Sequence, residues 1–229
     1  GALSVWQGAP SPGAAAAAAE LSMAKLLGFE GLTYVCARGT RIAALRSDGR
    51  LYCSDACESS FEFREDPGTR RAILSRLRPL VTGVAVGTQH TVYCTADGRA
   101  FAFGDNGRGQ LGVDIASVPR SSFPVAVSNL PAEAAGVVAV GCGTHTSFAL
   151  TQTTAYGWGD NIHQQVRGGD FGAGNSILST APVELKGGVG VSSPSSSSSP
   201  SMGFAQVCGG DAHTVALGLD GRVFERGVE

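Results

Sequence analysis

Three glycines in the segment FGDNGRGQLGV (residues 103–113) have the spacing of a phosphate-binding turn. Gly107, Gly109 and Gly112 form G-x-G-x-x-G, in which glycine lets the backbone turn tightly and approach a pyrophosphate. This chemistry also needs a helix after the turn, because a helix N-terminus supplies free N–H donors and a favourable dipole. The next segment contains Pro119 and Pro124 and disfavours a helix. We therefore predict no nucleotide site here and no cofactor.

Three histidines recur in front of a threonine, at His90, His145 and His213. Imidazole is the commonest metal ligand, so a metal centre is one interpretation. We favour the other interpretation, in which each histidine holds a strand corner of its own repeat by hydrogen bonds, because the spacing follows the repeat. Cys53 and Cys57 lack the second close cysteine pair that a zinc site needs. The sequence thus predicts no metal ligand and no catalytic residue.

The elements that position these residues are internal repeats. Each repeat has an apolar run, a glycine-rich step, an apolar strand, a tight turn and a second strand. The four copies are YVCARGTRIAALRSDGRLYCSD, VAVGTQHTVYCTADGRAFAFGDN, VAVGCGTHTSFALTQTTAYGWGDN and QVCGGDAHTVALGLDGRVFERG. Arg41 takes the place of the histidine in the first copy. Repeats of this length built from short strands are typical of a β-propeller or a solenoid.

The repeats also decide between the interpretations of the glycine-rich segment. Gly104 and Asn106 recur in the third copy as Gly159 and Asn161, whereas the three glycines of G-x-G-x-x-G do not recur. The repeated unit is therefore G-D-N, which we interpret as a structural turn. Asp-Gly pairs at residues 48–49, 97–98 and 220–221 predict two-residue hairpin turns with positive φ.

The repeat pattern GxxHT…AL…DGR followed by GxNxxGQLG resembles that of the regulator of chromosome condensation family, and the copy from Val84 to Asp114 carries nearly all of it. The resemblance implies an all-β fold: a β-propeller of about four blades, as a partial or open arc of a ring that usually has seven, with short helical insertions. The predicted organisation is a partial-blade strand and an Ala-rich helical or linker segment in residues 1–31, then four repeat units. The units are residues 32–66, 84–130, 138–185 and 205–229, with insertions at 67–83 and 186–204.

Two functions follow as expectations. The first is a non-catalytic protein-interaction propeller that is a structural subunit of a larger intracellular assembly. The second, implied by the resemblance to the founding member of the family, is guanine-nucleotide exchange on a small GTPase. The net charge of −2 disfavours general nucleic-acid binding, and the absence of a run of 18 apolar residues disfavours a membrane span.

One basic cluster could bind a partner. Its arginines lie in TRRAILSRLRPL (residues 69–80), where apolar residues at helical spacing predict a short amphipathic helix: Arg70, Arg71, Arg76 and Arg78. A solvated arginine face is the simpler interpretation. Contact with an acidic protein surface or with RNA phosphates is the functional one, since guanidinium groups pair with both.

The scattered cysteines predict packing rather than redox chemistry. Cys36, Cys142 and Cys208 lie in the strand that enters the glycine-rich step, and Cys94 aligns with Leu45 and Leu150. We expect all four to be small buried side chains. We also expect LSVWQG (residues 3–8) and RVFERG (residues 222–227) to be edge strands of terminal blades, because both occupy the same place in the repeat.

Overall fold

The structure is a computed structural model that describes residues 31–39, 41–55, 64–65, 80–128, 130, 136–166, 178–184 and 203–227. These residues form β-strands joined by turns, and no helix occurs among them. The all-β prediction is therefore confirmed for this part of the chain. The Ala-rich segment and the arginines of residues 70–78, where helices were predicted, lie outside the described residues.

Fifteen strands form four antiparallel sheets, each built from strands that are consecutive in the chain. Sheet 1 contains β1 (Leu32–Arg38), β2 (Arg41–Arg46), β3 (Leu51–Asp55) and β4 (Arg64–Glu65). Sheet 2 contains β5 (Val81–Val86), β6 (His90–Thr95), β7 (Ala100–Asp105) and β8 (Arg120–Ala126). Sheet 3 contains β9 (Ala139–Cys142), β10 (Thr146–Leu150), β11 (Ala155–Asp160) and β12 (Leu178–Glu184). Sheet 4 contains β13 (Phe204–Gly209), β14 (His213–Gly218) and β15 (Val223–Gly227).

Consecutive sheets pack face to face, and their first strands β1, β5, β9 and β13 contact one another in that order. The later strands of each sheet lie progressively farther from this common axis. β5 begins at Val81, inside the stretch that the repeat spacing assigned to an insertion. We call the three interfaces the first, second and third seams.

Each seam is an apolar layer formed by alternate side chains of the facing strands. In the third seam, for example, Phe148 and Leu150 of sheet 3 meet Val207 and Ala216 of sheet 4. Phe148 is completely buried and Leu150 nearly so. Burial of each such side chain contributes about 1.5–3 kcal/mol to folding. Apolar burial in the seams therefore contributes to the stability of the fold.

The Asp-Gly turns have positive φ at glycine, but they are not the two-residue hairpins that were predicted. Gly49 has a φ of 80°, and its N–H donates to Arg46 O, while Arg46 N–H donates to Arg50 O. This is a three-residue loop, in which only the glycine adopts the left-handed conformation. The Asp48 carboxylate explains the preference, since it accepts from Arg50 N–H at 3.1 Å and so stabilises the turn. The turns at Gly98 and Gly221 have the same hydrogen bonds.

The two-residue hairpin occurs instead in sheet 3, which has no Asp-Gly pair. Thr151 N–H donates to Thr154 O at 2.8 Å, and Thr151 Oγ1 accepts from Thr154 N–H at 3.0 Å. A threonine hydroxyl therefore replaces the glycine and aspartate of the other copies.

Candidate functional site

His90 lies at the start of β6 and reaches across the second seam. Its Nε2 lies 2.9 Å from Ser147 Oγ, and the ring is completely buried. The single Ser147 hydroxyl proton is donated to Gln110 O at 2.7 Å, so His90 Nε2–H is the donor to Ser147. This leaves Nδ1 unprotonated, and no hydrogen-bond partner faces it. Burial, with a smaller effect of the nearby Arg41 charge, lowers the pKa of His90 to about 3.

The equivalent position in the two neighbouring seams carries a different side chain. In the first seam Arg41 donates from Nη1 to Thr91 Oγ1 at 3.4 Å. In the third seam the equivalent residue is Thr146, whose hydroxyl is buried and has no hydrogen-bond partner. The residue that starts the second strand of each sheet therefore joins one sheet to the next wherever its side chain is long enough.

This arrangement corrects the alignment of the three histidines. Thr146, and not His145, pairs with Gly159, as His90 pairs with Gly104 and His213 with Gly227. The reason is that a one-residue slip would turn every side chain of β10 to the opposite face. Burial of Phe148 and Leu150 in the third seam sets the register and places His145 one position early.

His213 is equivalent to His90 in register, but it is exposed because no sheet follows sheet 4 among the described residues. Leu217 and Val223 of the same sheet are 36% and 67% exposed. We call the surface that contains His213, Leu217 and Val223 the outer face of sheet 4. The strand RVFERG is β15, at the edge of this three-stranded sheet. Its predicted counterpart LSVWQG lies outside the described residues.

The two G-D-N loops have one geometry. Asn106 Oδ1 accepts from Leu111 N–H at 2.9 Å, and Asn161 Oδ1 accepts from Val166 N–H at 2.9 Å. Asn106 also donates from Nδ2 to Val113 O and Val118 O, at 3.1 and 2.7 Å. Each asparagine therefore holds together a loop that contains no regular backbone pairing.

Gly104 and Gly159 lie opposite the first residue of the neighbouring strand, β6 or β10, and only glycine fits at either position. Their φ values are 116° and 107°, which side chains rarely adopt. A Cβ on Gly104 would clash with the carbonyl oxygen of Gln89, and a Cβ on Gly159 would clash with that of His145. The glycine of G-D-N is thus required both by its conformation and by close backbone approach.

The central glycine of G-x-G-x-x-G, Gly109, is not required for its turn. Gly109 has a φ of 78°, and the equivalent Gln164 has a φ of 57°. Gly109 N–H donates to Asn106 O at 2.9 Å, and Gln164 N–H donates to Asn161 O at 3.0 Å. The same turn therefore forms with and without the motif, which supports the structural interpretation of the segment.

Two glutamines were missed as functional positions of the repeat. Gln110 Oε1 accepts from Arg108 N–H at 2.7 Å, and Gln165 Oε1 accepts from His163 N–H at 2.9 Å. The carbonyl of each glutamine faces the next sheet: Gln110 O accepts from Ser147, and Gln165 O accepts from Thr214 Oγ1 at 2.8 Å. Trp158 Nε1–H also donates to Gln110 O, at 3.0 Å. The sequence did contain a signal for this role, because each glutamine follows the asparagine of its own G-D-N loop at the same spacing.

The cysteines divide into buried and exposed groups. Cys94 and Cys142 are buried, as predicted, and Cys94 has the register position of Leu45 and Leu150. Cys36 is only half-buried, and burial raises the pKa of its thiol to about 11. Cys208 is exposed, which corrects the prediction of a packed side chain. Among the described residues, no further sheet packs against this side of sheet 4.

The described ranges contain neither a metal-binding cluster nor a membrane-spanning helix. No three His, Cys, Asp or Glu side chains come close enough together there to hold a metal ion. No helix in that part of the chain is long and apolar enough to cross a membrane. Arg70, Arg71, Arg76 and Arg78 lie outside the described residues, so their proposed contact with a partner stays a prediction.

Comparison with known sequence families identifies the repeat. Residues 81–110 and 97–150 match two models, each described as the regulator of chromosome condensation (RCC1) repeat. The matches cover sheet 2 and the first two strands of sheet 3, which contain His90, Asn106 and Ser147.

Individual relatives extend the similarity to most of the chain. The probable E3 ubiquitin-protein ligase HERC6 of Homo sapiens is 31% identical over 169 residues, which cover 72% of this chain and 15% of HERC6. Protein pim1 of Schizosaccharomyces pombe is 28% identical over 187 residues, which cover 78% of this chain and 30% of pim1. The chain thus spans less than a third of the length of either relative.

A solved structure shares the fold. Prp20p from Saccharomyces cerevisiae, whose binding to Gsp1p and histones was studied with its crystal structure, superposes with a TM-score of 0.63. The sequence identity is 19%, and the match covers 86% of this chain and 43% of Prp20p. The four sheets therefore resemble propeller blades.

Proposed function

Since this chain belongs to the regulator of chromosome condensation (RCC1) repeat family, we propose that it is a non-catalytic interaction module, part of a propeller that serves as a structural subunit of a larger assembly. In this proposal the four sheets are an arc that is completed or covered by other protein. The observation that carries it is the outer face of sheet 4, where exposed apolar side chains occupy the register positions that are buried in sheet 2.

The chemistry of the repeat residues supports a structural role. His90, Asn106 and Gln110 are completely buried, and each side chain makes at least one hydrogen bond within a loop or across a seam. A buried group engaged in this way is not available to a substrate. Binding would therefore depend on exposed faces and loops, which is how one fold serves many functions.

The test uses the size of the native assembly. Leu217→Ser together with Val223→Ser makes the outer face of sheet 4 polar, whereas Phe123→Ser changes a 66% exposed residue of strand β8 in sheet 2. In extracts of the cells that express it, the unaltered protein and the Phe123→Ser variant should elute well above 23.3 kDa in size-exclusion chromatography, and the double variant near that mass. Elution of all three as the free chain would contradict the proposal.

Guanine-nucleotide exchange on a small GTPase is the second candidate. Its support is the resemblance of the repeat to that of the family's founding member, together with the fold shared with Prp20p, a protein studied for its binding to Gsp1p. Nucleotide release from a panel of small GTPases tests it. Acceleration at micromolar protein would favour this function over the first, and unchanged rates would exclude it.

A further inference from the structure

Arg38, the last residue of β1, joins sheet 1 to the two sheets that are most distant from it in the chain. Its Nη1 donates to Thr144 Oγ1 at 3.2 Å, in the loop between β9 and β10 of sheet 3. Its Nη2 donates to Gly209 O, at the end of β13 in sheet 4. Sheet 1 is therefore bonded directly to sheets 3 and 4, and not only packed against sheet 2.

The acceptor in sheet 4 is available because β13 is the innermost strand of its sheet. Gly210 N–H donates to His213 O, so Gly210 and His213 form a hydrogen-bonded pair. Pairs alternate along an antiparallel ladder, so the carbonyl of Gly209 points away from β14 and toward the axis. Arg38 thus satisfies a backbone group that has no strand partner.

The acceptor in sheet 3 extends the connection. Thr144 Oγ1 accepts from Arg38 and donates to Asp211 Oδ1, in the loop between β13 and β14. A positive charge on sheet 1 and a negative charge on sheet 4 are thereby linked through one hydroxyl. No carboxylate of the described residues forms an ion pair with Arg38 itself.

Cys36 makes a second contact of the same kind. It lies two residues before Arg38 and therefore on the same face of β1. Its thiol lies 3.6 Å from Val84 O of β5, within reach of a weak S–H hydrogen bond. Side chains of one strand thus reach carbonyl groups on the first strands of sheets 2 and 4.

We propose that Arg38 is a latch that holds the four-sheet arc closed on its axis. With the latch closed, one guanidinium group fixes the distance from sheet 1 to sheets 3 and 4. With the latch open, the sheets are free to move apart about that axis. Half-burial of Arg38 and its two neutral acceptors suit it to this reversible role, since the guanidinium can exchange them for water.

Four variants of the full chain test the latch: Arg38→Ala, Thr144→Val, the double variant, and Arg46→Ala as the control. Arg46 belongs to the same sheet, and within the described part of the chain its side chain makes an exposed ion pair with Asp48, at 3.7 Å, and no contact with another sheet. We expect Arg38→Ala to lower the midpoint of thermal unfolding by about 4–8 °C. It should also increase the radius of gyration measured by small-angle X-ray scattering.

The double variant shows whether Arg38 and Thr144 stabilise the protein through their shared hydrogen bond or independently of each other. If Arg38 acts through Thr144, the double variant should lose less stability than the two single variants together, because the bond between the guanidinium and the hydroxyl can be lost only once. Full additivity, or an Arg38→Ala protein with the size and melting of Arg46→Ala, would overturn the proposal. If Arg38→Ala does not fold, Arg38→Lys decides, since an ammonium group keeps the charge but does not span both acceptors. A wild-type size and melting point for Arg38→Lys would also overturn it.

Discussion

The second seam and the outer face of sheet 4 contain equivalent positions of the repeat in opposite environments. In the second seam His90 is completely buried and donates to Ser147, whereas His213 has the same register position and is exposed. Cys94 is buried and Leu217, its counterpart, is 36% exposed. The difference shows that the repeat specifies a residue's position in the sheet. The sheet that follows determines whether the side chain is buried and how much it contributes to stability.

The largest expected difference is in stability. His90→Ala removes a buried hydrogen bond and leaves a cavity, so we expect it to lower the free energy of unfolding by about 2–4 kcal/mol. His213→Ala should change it by less than about 0.5 kcal/mol, because the side chain is exposed. Chemical denaturation of both variants measures the two values.

His145→Ala serves as a second control for this comparison, because the alignment of the sequence placed His145 with the other two histidines. Since Thr146 takes that position, the loss should be clearly smaller than for His90→Ala. Equal losses for His90→Ala and His213→Ala would break the comparison.

The next largest effect concerns the loop that supplies the acceptor of the second seam. Asn106→Ala removes three hydrogen bonds of a buried side chain, to Leu111, Val113 and Val118, and should cost about 2–3 kcal/mol. The loop contributes the Gln110 carbonyl that Ser147 and Trp158 bind. We therefore expect amide hydrogen exchange to accelerate in β10 and β11 as well as in the loop. Faster exchange in the loop alone would show that the seam is independent of it.

A smaller effect on the free energy of unfolding is expected from a change of pH, and it also arises from the burial of His90. The folded-state pKa of His90 is about 3, below the 6.5 of an exposed histidine, so the unfolded chain binds a proton more readily between these values. The stability due to neutral His90 is complete above pH 6.5 and falls as the pH decreases toward 3. At pH 5 the loss is about 2 kcal/mol.

The matched variant for this prediction is His90→Gln, which does not titrate. Denaturation at pH 7 and pH 5 should show a smaller decrease for His90→Gln than for the unaltered protein, while His213→Gln should behave as the unaltered protein does. An equal decrease in all three proteins would place the titrating group elsewhere.

The sequence predicted the strands and the G-D-N turns because both depend on local residues. Alternating apolar residues and the recurrence of Gly104 and Asn106 were sufficient for these features. The register of β10 was not predictable in the same way. Either His145 or Thr146 could take the position of His90, and the two choices turn Phe148 to opposite faces of sheet 3. That face is decided by the neighbouring sheet.

Contacts between sheets were the least predictable from the sequence. Ser147 and Thr214 are ordinary strand residues locally, and their role depends on the Gln110 and Gln165 carbonyls of another sheet. Arg38 is a similar case, since its acceptors lie more than 100 residues later in the chain. The exposure of Cys208 likewise depends on the position of sheet 4 at the end of the described arc rather than on the residue itself.

The smallest expected effect compares the G-x-G-x-x-G glycine with its counterpart in sheet 3. Gly109→Gln introduces into the first G-D-N loop the residue type that the second G-D-N loop already has at the equivalent position, Gln164, where φ is 57°. A side chain with positive φ costs about 1 kcal/mol, and the hydrogen bond from residue 109 N–H to Asn106 O needs only the backbone. We therefore expect a loss of about 1 kcal/mol or less, and Gln164→Gly should recover a similar amount. Gly104→Ala, at a φ of 116° and against the Gln89 carbonyl, should cost several times more. If Gly109→Gln were instead as damaging as Gly104→Ala, the glycine pattern would have a purpose beyond the turn, and the nucleotide interpretation would have to be tested again.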